Sequence, residues 1–423
     1  MHQDSPVTFT IVGAGNRGHN YASWMLNHPD RARVVAVAER NDVRRARIAD
    51  EHGLTGAQLV DDWRELLDRP RASDAVIIAT QDRFHVDPAI AFLERGYHVL
   101  LEKPLAPTEE ESRRIVEVAA RSEGIFAVCH VLLYTPHTRL IKSIVDSGRL
   151  GTIVSVQHLE PVGYWHQAHS YVRGNWRREE DSTFMLMAKS SHDIDWLQHI
   201  VGQPIASVSS FGGLQHFRSE AAPAGATPRC VDCPLQRTCP YSATTLYRGL
   251  LDAGDTGWPL ETVVDIPTRE ELDRALTDGP YGRCVYYADN DVVDHQVVAM
   301  QFADGASGVF TMTGFNAGGH RRTTIFGSKG ELSTDGERVE VYQFGAPTTE
   351  VFEVAAYGDA TAGGGHGGGD EGLMDAFVHA VATGDERGIH SGGAASLSSH
   401  LAVFAAERGR RLGSVQSVSP VPG

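Results

Sequence analysis

The chain has 423 residues, of which 41% are hydrophobic and 22% charged, with a net charge of −16. Such a length exceeds one compact core and predicts two domains, while the acidic balance excludes sequence-independent binding to nucleic acid or to anionic lipid, which needs surplus Lys and Arg. No apolar run of about 18 residues exists to span a bilayer, the five cysteines are too sparse for a disulfide framework, and the start lacks a basic segment followed by an apolar one, so a cytoplasmic protein with reduced thiols is expected.

Residues 7–12, rich in β-branched side chains, predict a strand that ends at Gly13-Ala14-Gly15-Asn16-Arg17-Gly18 and feeds a helix through 21–26. Gly13 permits the tight turn, Gly15 lets backbone approach a pyrophosphate, and Gly18 lets the helix pack on the sheet, with helix N–H groups facing the phosphates. Asn16 and Arg17 complete this turn as candidate cofactor contacts. A second strand, 33–38, ends at Glu39, whose carboxylate can accept from the adenosine ribose and disfavour a 2′-phosphate, so NAD is expected rather than NADP. Arg40 beside it either pairs with a phosphate or lies over the adenine.

Asp42 is placed to cap a helix running to about residue 52. Strand 74–79, helix 88–95, strand 98–101, helix 108–122 and strand 126–129 then complete a Rossmann-type α/β domain over residues 1–133, its apolar strands covered on both faces. Two segments follow strand ends, where open parallel sheets bind ligands. One is Thr80-Gln81-Asp82-Arg83-Phe84-His85, with Thr80 and His85 as candidate contacts, His85 serving equally well as a helix cap. The other is Glu102-Lys103-Pro104, where an ammonium beside a reacting carbinol can stabilise a developing alkoxide and relay its proton.

From residue 134 to 411 the pattern changes to α+β. A helix at 138–147 precedes strands at 153–160, 206–211, 293–302, 307–313, 322–327 and 338–344, suited to a mainly antiparallel sheet covered on one face. Residues 213–285 interrupt it as an irregular insertion, a helix follows at 371–383, and residues 412–423 are expected to fray. Cys230, Cys233 and Cys239 have a spacing compatible with three thiolate ligands to structural zinc, or equally with a buried thiol cluster.

Polar and aromatic candidates for a carbohydrate are Tyr164, His166, Arg173, Asn175 and Trp176, with Arg177 as a second anion contact. Asp289-Asn290-Asp291 and Asp294-His295 concentrate groups that can hold hydroxyls. His366 stands in a run of glycines that suits a ligand-facing loop. His192 opens a helix, with Lys189 three residues earlier on the same turn, while Asp193 and Asp195 read as helix caps or partners of neighbouring cations.

The glycine turn, Glu102-Lys103-Pro104 and the antiparallel second domain together resemble the Gfo/Idh/MocA oxidoreductase family over nearly the whole chain. The resemblance implies that Lys103 lies between nicotinamide ribose and substrate, that Glu102 contacts the cofactor, that Thr80 and His85 belong to a cofactor-edge loop, that the peptide before Pro104 is cis, and that His192 is the active-site histidine. Many of these dehydrogenases carry an Asp four residues before that histidine; here the position is Ala188. The resemblance also implies a homodimer or homotetramer built on the open face of the second sheet. It leaves two activities open: NAD-dependent oxidation of a secondary hydroxyl on a sugar, sugar derivative or cyclitol, or the redox-neutral chemistry of the NAD-dependent glycoside hydrolases, whose His-Gly-Gly segment the His366 loop resembles, on an anionic or sulfonated glycoside among others. A dinucleotide sensor without activity is the third reading, and the presence of Lys103 argues against it.

Overall fold

Strands Val7–Val12 (β1), Ala32–Ala38 (β2), Leu59–Val60 (β3), Ala75–Ile78 (β4), His98–Leu101 (β5) and Phe126–Val128 (β6) pair in parallel, because their nearly unbroken apolar runs bury both faces. The computed structural model describes residues 5–357 and 367–421. Among these, the six strands stand in the order β3-β2-β1-β4-β5-β6. The order reverses between β1 and β4, which opens a crevice at their C-terminal ends where Gly13, Thr80 and Glu102 emerge. Helix Asn16–Asn27 leaves the glycine turn and helix Asp42–His52 follows β2. Asn41, not Asp42, caps the latter: its extended backbone lets the side chain accept from Arg44 N at 3.1 Å, while Asp42 is already in the first turn.

The second sheet has nine strands, adding Ile153–Pro161 (β7), Ile205–Gly213 (β8), His295–Phe302 (β9), Ser307–Thr313 (β10), Arg322–Gly327 (β11), Gly330–Thr334 (β12), Arg338–Gln343 (β13), Glu350–Glu353 (β14) and Gln416–Ser417 (β15). Its order is β14-β13-β12-β11-β7-β10-β9-β8-β15, antiparallel except where β10 lies parallel to β7. The tail expected to fray is instead docked: β15 pairs with β8, and Val418 N donates to Ala206 O at 2.9 Å, because β8 would otherwise present an unpaired edge. Helix Ser191–Val201 covers one face, where Trp196 stacks on His158 of β7 with centroids 4.9 Å apart. Helix Gly393–Leu412 packs on β8, on helix Ser191–Val201 and on helix Glu109–Arg121, so it holds the two sheets together.

The insertion is less irregular than its composition predicts. Helices Ala243–Asp252 and Arg269–Asp278 enclose a small core of Tyr247, Leu260, Leu272 and Leu276, and Cys230 packs into it. The reading of a structural zinc is corrected here: among the described residues no group of three or more His, Cys, Asp or Glu is arranged to hold a metal. The Arg173 guanidinium stands 3.6 Å from Cys230 Sγ, a cation where a zinc ion would need room. Asp294, read as a sugar contact, accepts from Gln215 N and His216 N at 2.9 and 2.8 Å and so pins the start of the insertion. No helix among the described residues is long and apolar enough to cross a membrane.

The close approach at Gly18 gives a first test. A Cβ there would fall 1.9 Å from Gly13 O, whereas one at Gly249, on the exposed side of its helix, would meet nothing within 4 Å. Gly18→Ala is expected to lose on the order of 2–4 kcal/mol in urea unfolding, and Gly249→Ala to gain roughly 0.5–1 kcal/mol. A Gly18→Ala midpoint equal to that of the natural chain would refute the packing described.

Candidate active site

The glycine turn has the shape a dinucleotide needs. Gly13 sits at φ +90°, and a Cβ on it would strike Ala79 O at 2.7 Å. Gly15 begins helix Asn16–Asn27 without any side-chain cap, and the space a Cβ would take there is open except for Arg44 Nη1 at 3.7 Å. Backbone N–H groups with no capping side chain, bared by glycine, fit a pyrophosphate. Glu39 lies where expected, but its carboxylate also orders the site: Oε2 accepts from Ala14 N at 2.7 Å and Oε1 from Asn41 N at 2.8 Å. Arg40 is exposed at the rim.

Arg17 and Glu102 serve each other more than a cofactor. Arg17 Nε donates to Glu102 Oε1 at 2.6 Å, its Nη1 to Asp370 Oδ2 at 3.0 Å, and its Nη2 to the Tyr21 hydroxyl. Glu102 also accepts from the Tyr21 hydroxyl at 2.8 Å and from Lys103 N at 3.0 Å. Burial pushes its carboxyl pKa up, yet the Arg17 guanidinium beside it holds the net value below the ordinary one. His85, offered as a cofactor contact, is wholly buried between Pro104 O at 2.7 Å and Thr80 O at 3.1 Å, so it braces the turn carrying Lys103. Thr80 Oγ1 donates to Phe84 O at 3.1 Å. The Lys103-Pro104 peptide is cis, as the resemblance implies.

Lys103 projects from the end of β5 toward the second domain, and its Nζ donates to the Ala188 carbonyl at 2.6 Å. Withdrawal from water pushes its pKa down, against the pull of Asp82 and Glu102 and with the help of Lys189. The position where a carboxylate was missed in the sequence thus contributes a backbone oxygen. Carboxylates do stand close by, on other elements. Glu160, at the end of β7, meets Lys189 Nζ at 3.1 Å and Arg321 Nε at 3.0 Å, and Arg321 also pairs with Asp193. Asp193, whose other partner is His158 Nε2 at 3.0 Å, is pushed up by burial, but Arg321 and His158 together hold it below the usual carboxylate range. Lys189 therefore does reach this space, paired rather than alone.

Glu160 and Arg321 escaped the sequence reading, and Tyr171 is buried beside them. Burial raises the Tyr171 phenol, with Glu160, Asp82 and Asp193 adding to it. The one available signal was Glu160, a charged residue closing a strand whose inward positions, Val156 and His158, are buried. His192 is buried at the head of its helix, edge-on to His130 with centroids 5.5 Å apart.

Of the carbohydrate candidates, His166 lies against Trp258, Trp165 and Tyr171 at 4.9, 5.7 and 5.8 Å between centroids. Trp176 packs part-buried at 6.2 Å from Tyr171. Tyr164 is exposed against Tyr241, and Asn175 is exposed. Arg173 is a correction: it is almost completely buried and spends its guanidinium on Arg283 O at 2.7 Å and Tyr241 O at 2.6 Å, because the insertion's loop carbonyls have no ladder to satisfy them. Arg177 pairs with Asp289 at 2.9 Å. His366 lies outside the described residues.

The insertion also reaches the cofactor groove. Glu261 accepts from the Asn16 side chain, and Asp265 accepts from Asn41 Nδ2 at 2.9 Å and Arg44 Nε at 2.8 Å. These contacts straddle the pyrophosphate turn and the adenosine end.

Residues 7–130 match the model described as "Oxidoreductase family, NAD-binding Rossmann fold", and residues 142–355 match "Oxidoreductase family, C-terminal alpha/beta domain" of the same group. This chain belongs to the Gfo/Idh/MocA oxidoreductase family. It is 30% identical over 219 residues to inositol 2-dehydrogenase 4 of Saccharopolyspora erythraea, covering 51% of this chain and 60% of that protein. It is 24% identical over 207 residues to 2,7-anhydro-N-acetylneuraminate hydratase of Escherichia coli (strain K12), covering 49% of this chain and 53% of the relative. The fold is shared with a levoglucosan dehydrogenase in complex with NADH, at a TM-score of 0.71 and 20% identity over 99% of this chain and 100% of the other. As a member of this family the chain binds NAD through the first domain, and the insertion contacts sit on that binding surface. Asp265→Ala, which releases Asn41 and Arg44, is expected to raise the NADH dissociation rate several-fold in stopped-flow fluorescence; an unchanged rate would show that these contacts do not retain the dinucleotide.

Proposed function

We propose that this protein is an NAD-dependent oxidoreductase acting on a secondary hydroxyl of a sugar, sugar derivative or cyclitol. The observation that carries this reading is Lys103: its ammonium is drawn out of water, pushed below its ordinary pKa, and aimed across the crevice at Ala188 O. NAD, when bound, supplies the acceptor for the hydride leaving the carbinol carbon. Lys103 hydrogen-bonds the reacting oxygen and stabilises its negative charge as it develops. His192, on the opposing helix, receives the proton, with Lys189 beside it paired to Glu160. Glu102, tied to Arg17, fixes the backbone of Lys103 through its N–H. His166, Trp176 and Tyr164 supply ring faces and polar tips for a pyranose or cyclitol, with Asn175 at the rim.

Glu39 supports NAD over NADP, since a carboxylate already accepting two backbone N–H groups at that strand end would repel a 2′-phosphate. We further propose a homodimer or homotetramer formed on the uncovered face of the nine-stranded sheet, where Leu159, Val309 and Thr311 remain part-exposed.

A second reading is favoured by one observation, the alanine at position 188. With a backbone carbonyl there, the proton relay of a net dehydrogenase is altered, and a redox-neutral glycosidase becomes the alternative. In that scheme the C3 hydroxyl is oxidised transiently, the C2 hydrogen leaves as a proton, the glycosidic leaving group is eliminated, water adds, and the ketone is reduced again. A relative named as a hydratase is consistent with lyase-type chemistry in this family. An anionic or sulfonated glycoside is less supported, because Arg173 and Arg177, its expected anchors, are already bonded within the protein.

Purified protein incubated with NAD and panels of free sugars, cyclitols and aryl glycosides separates the two, if NADH absorbance and aglycone release are followed independently. NADH in proportion to substrate is expected; aglycone release without net NADH would replace the first reading by the second. Lys103→Ala is expected to cut either turnover by at least about a hundredfold, and near-normal turnover would remove its assigned role.

A further inference from the structure

Behind His192 lies a buried cluster that the chemistry above does not use. His130, just past β6, is wholly buried, and its ring stands edge-on to both His192 and His400 with centroids 5.5 Å from each. Its Nδ1 faces Asp195 Oδ2 at 3.7 Å. Neither ring nitrogen of His130 nor that carboxylate oxygen has a hydrogen-bond partner among the described residues, although both side chains are at least nine-tenths buried. The other oxygen of Asp195 accepts from Ser399 Oγ at 2.8 Å. Asp195 was expected to cap its helix or meet a cation; it does neither.

Two orphaned polar groups facing each other in an apolar interior are costly unless a proton lies between them. One proton held on the carboxylate keeps the facing pair neutral, although at 3.7 Å the two side chains face each other without a formed hydrogen bond. His400 is unsuited to that role, because its Nε2 accepts from Leu105 N at 3.0 Å while its Nδ1 lies 2.7 Å from Ser396 O, which together fix a neutral tautomer.

We propose that the facing pair His130 and Asp195, with a single proton carried on the buried carboxylate, sets the proton affinity of His192, acting through it as positioning residues without touching substrate. This inference rests on His192 being the proton-handling group of the site. The groups facing the pair are His192 on the same helix as Asp195, Lys103 from the turn after β5, His400 and Ser399 from helix Gly393–Leu412, and the Tyr134 phenol, itself bonded to Ser391 Oγ at 2.8 Å. Burial lifts the Asp195 carboxyl to about 7 and pushes His130 well below an ordinary histidine. The pair therefore keeps its proton up to neutrality and becomes negative above it, when the nearby charge favours the imidazolium form of His192. The active-site histidine becomes a stronger base as the pH passes about 7.

Stability follows with a definite sign. An unfolded Asp releases its proton near pH 4, whereas this one releases it at about 7 in the fold. Between those values the folded state binds more protons, so this residue's contribution to stability falls as pH rises through the window.

The test uses the full chain without any substrate. Protein carrying isotopically labelled histidine is titrated by NMR, the His192 signal being assigned by its loss in His192→Gln. The expected natural curve shows a second inflection near neutrality, and Asp195→Asn is expected to abolish that inflection and lower the His192 pKa by about one unit, a tenfold loss of proton affinity. His130→Gln is expected to keep the inflection but to move its midpoint. A His192 curve in Asp195→Asn superimposable on the natural one would overturn the proposal. If Asp195→Asn does not fold, a natural curve with a single inflection overturns it equally. A failure of the dehydrogenase reading would show separately, as absence of turnover on the substrate panels with the coupled titration intact.

Discussion

The Arg17 guanidinium is the constraint on which the site depends. It joins three elements: the helix leaving the glycine turn, the end of β5 through Glu102, and the helix beginning near Asp370. Glu102 in turn accepts from the backbone N–H of Lys103, so the position of the ammonium is set from the glycine turn. Removing one partner of such a buried pair leaves an uncompensated charge, a loss of about 3–5 kcal/mol. The cofactor groove and Lys103 are therefore one mechanical unit, with His85 bracing it from the other side through Pro104 O and Thr80 O.

Around that unit the second domain supplies charge in compensated sets. Lys189, Arg321, Glu160 and Asp193 alternate in sign, and each carboxylate is met by at least one cation. The arrangement keeps polar groups at the crevice without leaving a net buried charge, which would favour neutral forms and blunt any proton transfer. Lys103 is the exception: it is held by a neutral carbonyl, and its pKa falls. A lysine placed this way gives up or recovers a proton more readily than one locked to a carboxylate, which is what either of the two reactions requires of it.

The insertion links substrate and cofactor sides. Its Trp258 lies against His166 at the carbohydrate candidates, while Glu261 and Asp265 reach Asn16, Asn41 and Arg44 on the cofactor domain. One segment thus reaches both the carbohydrate candidates and the cofactor domain, and its contacts with the latter are side-chain hydrogen bonds.

Local signals were sufficient for the Rossmann domain, since strand composition, glycine spacing and the acidic residue after β2 act within a few residues of one another. The same holds for Glu102-Lys103-Pro104 and for His192 at the head of a helix. The partners of those residues were decided only by tertiary structure. Nothing near Arg17 in the chain announces Asp370, 353 residues away, and nothing near Ala188 announces that Glu160 and Arg321 bring charge to the same space. Arg173 shows the converse: a guanidinium in an aromatic, polar stretch suggested an anion contact, but the loop carbonyls of the insertion had a prior claim on its donors. Backbone geometry is written locally because it depends on sterics and periodicity, whereas the charge state and partners of a side chain depend on which distant groups burial brings within hydrogen-bond reach.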